Sequence, residues 1–257
     1  MAFSAVSAVR GPGEIAAMVL EVTRRMFRRP FQWREFIEQA WFITSVTLMP
    51  TILVSIPFGA VISLQVGNLT GQLGAQSFAG ASSVLAVVRE AAPIAAALII
   101  AGAAGSAICS DLGSRKIRDE IDALEVLGVD PVYRLVVPRV VATMYVAAMI
   151  NGIVIAAGIG GGYFFNVVVA GGAAGPYLAS FTALATLPDL YVSMFKAILF
   201  GWLAAIVGAY KGLNAGGGPS GVGQAVNESV IVAFMLLFFL NSIITAVYFQ
   251  VFPQPGL

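Results

Sequence analysis

Histidine is absent from the 257 residues, and cysteine occurs once, as Cys109. The first absence removes Ser-His and Cys-His catalysis, His-ligated zinc and the H-E-x-x-H motif. The second removes an intramolecular disulfide and any cysteine-cluster metal site. Charge is scarce as well: 11% of residues are Asp, Glu, Lys or Arg, against about a quarter in an ordinary soluble domain. None lies between Glu38 and Arg89, between Arg139 and Asp189, or after Glu228. A soluble fold needs a charged shell over its core, and 14 basic and 13 acidic side chains placed this way do not supply one. The net charge of +1 gives no reason to expect nucleic acid as a partner. No G-x-x-x-x-G-K-S/T occurs, so any ATP hydrolysis belongs to another chain.

What the chain has in abundance is apolar length, with 59% hydrophobic residues. A bilayer-spanning helix needs about 20 of them in a row. Read with a window of about 19 residues, the uncharged stretches yield five spans, near Trp41–Gln65, Val87–Cys109, Val140–Phe165, Leu190–Tyr210 and Ser229–Gln250. The segment Val167–Leu187 is long enough to dip into a membrane. Its run Gly171-Gly172-Ala173-Ala174-Gly175-Pro176 favours a loop. The expected fold is all-α, a polytopic membrane protein.

Orientation follows from Lys and Arg. Arg10, Arg24, Arg25, Arg28, Arg29 and Arg34 precede the first span. Arg115, Lys116, Arg118, Arg134 and Arg139 lie between spans two and three, and Lys211 opens the connection between spans four and five. Arg89 and Lys196 sit near the other span ends. The N-terminus is therefore expected in the cytoplasm and the C-terminus outside. No secretory signal is expected, because the basic cluster follows a mixed segment and does not precede a compact apolar run.

Residues 1–40 read as a cytoplasmic N-terminus. Within Glu14–Gln39, Ile15, Met18, Val19, Val22 and Met26 recur at helical spacing opposite Glu14, Glu21, Arg24, Arg25 and Arg28. Phe31, Trp33, Phe36 and Ile37 follow a break at Pro30. Such a helix lies in the membrane interface or packs on the protein's own surface. In the spans, Pro50, Pro57 and Pro93 each remove a backbone donor and predict bends, either plain kinks or hinges around a cavity. Gly102–Ala107 and Gly158–Gly162 predict close helix packing.

Between spans two and three lies the acidic loop Asp111–Pro131. Ser114 is a candidate N-cap, Ile117, Ile121 and Leu124 share a face, and Gly128 before Pro131 is a stop signal. A helix over about 114–128 is expected, with Asp111, Asp119, Glu120, Asp122, Glu125 and Asp130 around it. It is either a solvated connector or a ridge offered to a soluble partner. Gly216–Gly221 fits G-x-G-x-x-G but follows a span and holds Pro219, so it reads as a loop. Arg89 and Glu90, at the end of span two, are costly there unless paired or wet; they form a local ion pair or meet a lipid head group.

Several of these stretches resemble one family. Arg89-Glu90-Ala-Ala-Pro93 through Ala101-Gly102, Gly105-Ser-Ala107, Leu112-Gly113, Glu120-Ile121-Asp122-Ala123-Leu124-Glu125 and Gly221–Val226 are similar to the signature of the MlaE/YrbE permeases. The chain departs from it at Gly102-Ala103-Ala104-Gly105, where the family commonly has Gly-Arg-x-Gly. Eleven arginines against three lysines, with abundant Ala and Gly, give it the look of an actinobacterial Mce-associated YrbE subunit. The resemblance implies a permease domain over 41–257, in a bacterial plasma (inner) membrane. It implies a non-catalytic subunit of an ABC-type lipid or fatty-acid transporter, with MCE-domain proteins, a second permease chain (the same or related) and an ATPase subunit that holds ATP and Mg. It makes the 114–128 segment a coupling helix, with Ile117, Glu120, Ile121, Asp122, Leu124 and Glu125 toward the ATPase. It also sets Arg89 and Glu90 near the level of a lipid pocket.

Other classes are possible on residues alone. A secondary transporter or channel for a hydrophobic solute usually carries ionisable groups near the bilayer midplane and inverted repeats, and neither is visible here. An intramembrane enzyme would lack histidine for the usual dyads.

Overall fold

The computed structural model describes residues 5–28, 30–75, 78–181 and 185–251, with side chains from Gly13 onward. Arg29, the Arg10 side chain and part of the Val167–Leu187 segment therefore lie outside the described residues. Among those described there are helices and no strands. The elements are α1 (Ala5–Met26), α2 (Trp33–Gln72), α3 (Ala79–Ile117), α4 (Glu120–Val126), α5 (Val132–Val169), α6 (Ala174–Ala179), α7 (Leu187–Leu213) and α8 (Gly218–Val251).

Five of these, α2, α3, α5, α7 and α8, are long and apolar enough to cross a membrane, and each contains one expected span. Several are longer than a bilayer requires. The 40 residues of α2 extend roughly 60 Å, about twice a hydrocarbon core. Trp33, Phe36 and Ile37, expected in the interfacial segment, are the opening turns of α2. Pro50 and Pro57 sit within its continuous helix.

The chain forms two compact units. One holds residues 1–44, 100–146 and 200–257; the other holds 45–99 and 147–199. In the first, α1 packs Met18 and Val22 into a core with Ile108, Leu112, Val136 and Ile206. That face of the amphipathic helix is used on the protein's own surface. Leu20 and Phe27 remain exposed, at 67% and 82%. Gly208 and Gly212 of α7 pack against α3: a Cβ on Gly208 would stand 2.5 Å from the Gly105 carbonyl oxygen, and one on Gly212 2.6 Å from that of Cys109.

In the second unit, α2 turns Thr47, Thr51, Ser55, Gly59 and Ser63 inward at four-residue intervals. Thr51 donates back to the Thr47 carbonyl at 2.6 Å, and Ser55 to Thr51, so these hydroxyls are satisfied in place. With no side chain at Gly59, α2 meets α5 backbone to backbone: a Cβ there would lie 2.0 Å from the Gly158 oxygen. Gly161 and Gly162 extend the contact along Ile56 and Ser63. The glycine run acts in packing, as its spacing predicts.

Two π-helical stretches precede prolines by the same distance, Val87–Ala91 before Pro93 and Val132–Val136 before Pro138. A proline cannot donate to the carbonyl four residues back, and a wider turn shifts the ladder to i−5 there. Ala92 N–H reaches the Val87 oxygen and Val137 N–H the Val132 oxygen.

Candidate functional site

Two groups of charged residues stand out, one in each unit. In the first unit α3 runs without a break from Gly105 to Ile117, well past its expected end at Cys109. Ser114 is therefore inside a helix and not its N-cap: its hydroxyl donates to the Asp111 carbonyl at 2.8 Å. The break comes at Asp119, whose φ of 59 is left-handed, a region that Asp tolerates better than most residues. The helix beyond it, α4, has only seven residues, shorter than the 114–128 helix expected. Its end is as the sequence indicates. Gly128 has φ +73, Gly128 N–H bonds the Glu125 oxygen and Val129 N–H the Leu124 oxygen, each at 2.9 Å. That pair of bonds is a Schellman stop. Asp130 then accepts from the Val132 and Tyr133 N–H groups at 3.1 and 3.2 Å, with Pro131, already in helical conformation, leading into α5.

Charge pairing ties this region together. Arg139, 2% exposed in its side chain, reaches Asp111 at 2.7 Å and Glu35 at 3.5 Å and donates to the Leu135 carbonyl at 2.6 Å. Asp111 also accepts from Arg115 at 3.2 Å, and Arg115 lies 3.7 Å from Glu120. Glu120 takes Arg118 at 2.9 Å, and Asp122 takes Lys116 at 2.6 Å. Arg25 of α1 joins Asp130 and Glu21. A chain of ion pairs therefore runs from the start of α2, through α5 and α3, to the first turn of α4.

The apolar ridge expected on α4 points the other way. Ile121 is 5% exposed and sits in the core with Leu112 and Leu135, and Leu124 packs against the same cluster. Ile117 is half-buried beside Val222 and Ser114 at an open groove between α3 and α8. The residues left outward are Val126 and Leu127, 88% and 75% exposed, with Asp122 and Glu125 beside them in sequence. Spacing alone did not find those two. The signal was the pair of aliphatics directly before a glycine stop.

In the second unit the π-turn carries Arg89 and Glu90. Arg89 donates through Nε and Nη2 to one oxygen of Asp189, at 3.0 and 2.7 Å. The other Asp189 oxygen accepts from the Thr186 N–H and hydroxyl at 2.9 and 2.8 Å. Lys196 donates to Glu90 at 3.0 Å and to the Arg89 carbonyl at 3.3 Å. Arg89, Asp189 and Lys196 are buried and Glu90 is half-buried. One turn from Lys196, Ser193 accepts from Asn151 at 3.0 Å, deep inside α5 and α7. Four charges in an apolar helix pair are held here by mutual neutralisation, which is what burial of ionisable groups demands.

Residues 36–247, which hold most of both charged groups and most of all five long helices, match the family described as Permease MlaE. The chain belongs to the MlaE permease family. A probable ABC transporter permease protein of Rickettsia bellii is 29% identical over 93% of this chain and 92% of its own length. One of Rickettsia typhi is 30% identical over 88% and 87%. A chloroplast protein of Arabidopsis thaliana named trigalactosyldiacylglycerol 1 is 24% identical over 90% of this chain and 66% of its own length. This MlaE permease is thus a multi-pass membrane protein of the ABC transporter permease type, a name that implies an ATPase partner.

Proposed function

We propose that this chain is the non-catalytic permease subunit of a transporter that moves a lipid or fatty acid, driven by ATP and Mg bound in a separate ATPase. The observation that carries the reading is the outward tip of α4. Two exposed aliphatics, with the carboxylates of Asp122 and Glu125, stand on a short helix whose base is tied by ion pairs to α2, α3 and α5. An ATPase seated on Val126 and Leu127 would move α4 as a lever, and Glu120, Arg115, Asp111 and Arg139 would pass that movement to the long helices. Glu120, Asp122 and Glu125 act in this reading as the charged rim of the docking surface. Ile121 and Leu124 hold α4 to the helices behind it, and Ile117 lines the groove between α3 and α8 beside it.

Lipid cargo is supported by the family resemblance and by the Arabidopsis relative, whose name refers to a galactosylated diacylglycerol. Arg89 and Glu90 are assigned to the cargo path, with the half-exposed Glu90 carboxylate nearer to it and Arg89 acting through Asp189. Twelve of fourteen basic residues on one side of the spans support an N-terminus in the cytoplasm and a C-terminus outside, and the family resemblance supports a bacterial plasma membrane. Leu20 of α1 and Phe27 just beyond it, with Arg24 and Arg28, suit that inner interface. MCE-domain proteins on the outer side and a second permease chain, the same or related, complete the assembly. The wide exposed apolar faces of α2 and α8, including Met49, Leu53, Met235 and Phe239, serve lipid and that second chain.

The test is purification of the complex co-expressed with its ATPase, for the native chain and for Glu120→Lys with Asp122→Lys. Reduced ATPase attachment with normal membrane insertion is the expected result. Full attachment and normal ATP turnover would remove the docking assignment. Mass spectrometry of the co-purified lipids, with Glu90→Gln for comparison, tests the cargo.

A further inference from the structure

The residues Val66–Ala86 and Asn166–Leu187 contain no Asp, Glu, Lys or Arg. Within the second unit, parts of both segments enclose a cleft of about 510 Å³, a size usual for small-molecule sites. Its wall is made by Gly67 and Asn68 of α2, Asn166 of α5, the Gly171–Ala173 backbone and Tyr177 of α6. The Tyr177 hydroxyl is engaged with Ser63 at 2.8 Å, so this residue fixes the wall.

Asn166 is held by two missing side chains. A Cβ on Gly67 would lie 2.7 Å from its Nδ2, and one on Gly172 would lie 2.9 Å from its Oδ1. The Gly172 N–H also closes onto the Asn166 backbone oxygen at 3.1 Å, and Gly171 takes the left-handed φ of +71 that the turn needs. The loop thus wraps Asn166 tightly, yet its side-chain amide is bonded to none of the described residues, nor is that of Asn68. Each amide offers two donors and an acceptor.

The chemistry of the wall selects its ligand. An anion would find no cation among these residues, and a metal ion no carboxylate. A hydroxyl both donates and accepts, and several on one small framework match the two side-chain amides of Asn68 and Asn166. We propose that this cleft binds a neutral, hydroxyl-rich group, a sugar ring or other polyol, either free or carried as a lipid head group.

The experiment uses the full-length chain in phosphatidylcholine nanodiscs and measures equilibrium binding of three probes. They are methyl β-glucoside added free, monoglucosyl diacylglycerol in the disc, and phosphatidic acid in the disc. Asn68→Leu and Asn166→Leu should each weaken binding of the glucosyl probes about fivefold, the value of one hydrogen bond of about 1 kcal/mol. Gly67→Ala meets only the end of the Asn166 side chain, so it should shift the amide and weaken binding with the melting temperature unchanged. It keeps the question decidable if Asn166→Leu does not fold.

Binding of both glucosyl probes supports a site for the free polyol, and binding of the lipid alone supports a head-group site. Absence of both, or phosphatidic acid binding as tightly, or affinities unmoved by all three variants, overturns the proposal. No ATPase is present, so either result leaves the transporter reading to its own test.

Discussion

Lys196 donates to the carbonyl oxygen of Arg89, 107 positions away in sequence, at 3.3 Å. In an α-helix that oxygen would accept from residue 93, which is proline and has no N–H to give. The ammonium makes good part of what Pro93 and the π-turn leave open, and it neutralises Glu90 in the same stroke. A lysine, a carboxylate and a proline thereby specify how α7 meets α3 within the second unit.

Lys196→Met should accordingly destabilise the protein more than Glu90→Gln does. Removing one partner of a buried pair costs about 3–5 kcal/mol, whereas Gln keeps an acceptor at a half-exposed position. Thermal unfolding in detergent of the two variants checks the order. Equal losses would overturn this order and show that Lys196 adds nothing beyond its pairing with Glu90.

Glycines in the long helices should separate into two classes. Gly59→Ala and Gly161→Ala place a Cβ 2.0 and 2.5 Å from backbone oxygens of the facing helix, and overpacking of this kind costs about 1–3 kcal/mol or more. Gly102 and Gly160 have nothing within 4 Å of an added Cβ. Alanine there should be neutral or stabilising by up to about 1 kcal/mol, the helix-propensity gain. Melting curves of the four variants distinguish the classes.

Arg139 is the centre of the ion-pair chain in the first unit. Arg139→Lys keeps the charge but loses the fork that reaches Asp111 and the Leu135 carbonyl together, and should cost about 1–3 kcal/mol. Arg139→Met should cost more. A double-mutant cycle with Asp111→Asn should give a coupling energy above about 0.5 kcal/mol; additive losses would show that the two residues act independently.

The two sides of α4 should respond oppositely to a charge. Leu127→Asp lies on the surface and should leave stability within about 0.5 kcal/mol, while lowering the fraction of ATPase that co-purifies. Ile121→Asp buries a carboxylate in the core beside Leu112 and should destabilise by several kcal/mol or prevent folding. Unimpaired ATPase binding by Leu127→Asp would redirect the docking surface elsewhere.

The left-handed Asp119 yields the last prediction. Asp119→Val, β-branched at φ 59, should lose about 1–2 kcal/mol, whereas Asp119→Gly should lose nothing. Unfolding midpoints of both variants report whether the hinge between α3 and α4 keeps this conformation in solution.

The sequence by itself determined the five apolar helices, the tight packing at Gly158–Gly162 and the helix stop at Gly128. Each of these rests on local physics: a run of about 20 apolar residues, a missing Cβ, a positive φ that glycine adopts at little cost. Only the tertiary structure decided the partners of the charges. Arg89 and Glu90 are neighbours in the chain, yet Asp189 and Lys196, about a hundred positions on, neutralise them. No periodicity within one helix carries that information, because it depends on which helix packs opposite. The same holds for α4. Spacing put Ile117, Ile121 and Leu124 on one face, but that Ile121 and Leu124 are packed inward depends on Leu112, Leu135 and Val136 arriving behind them.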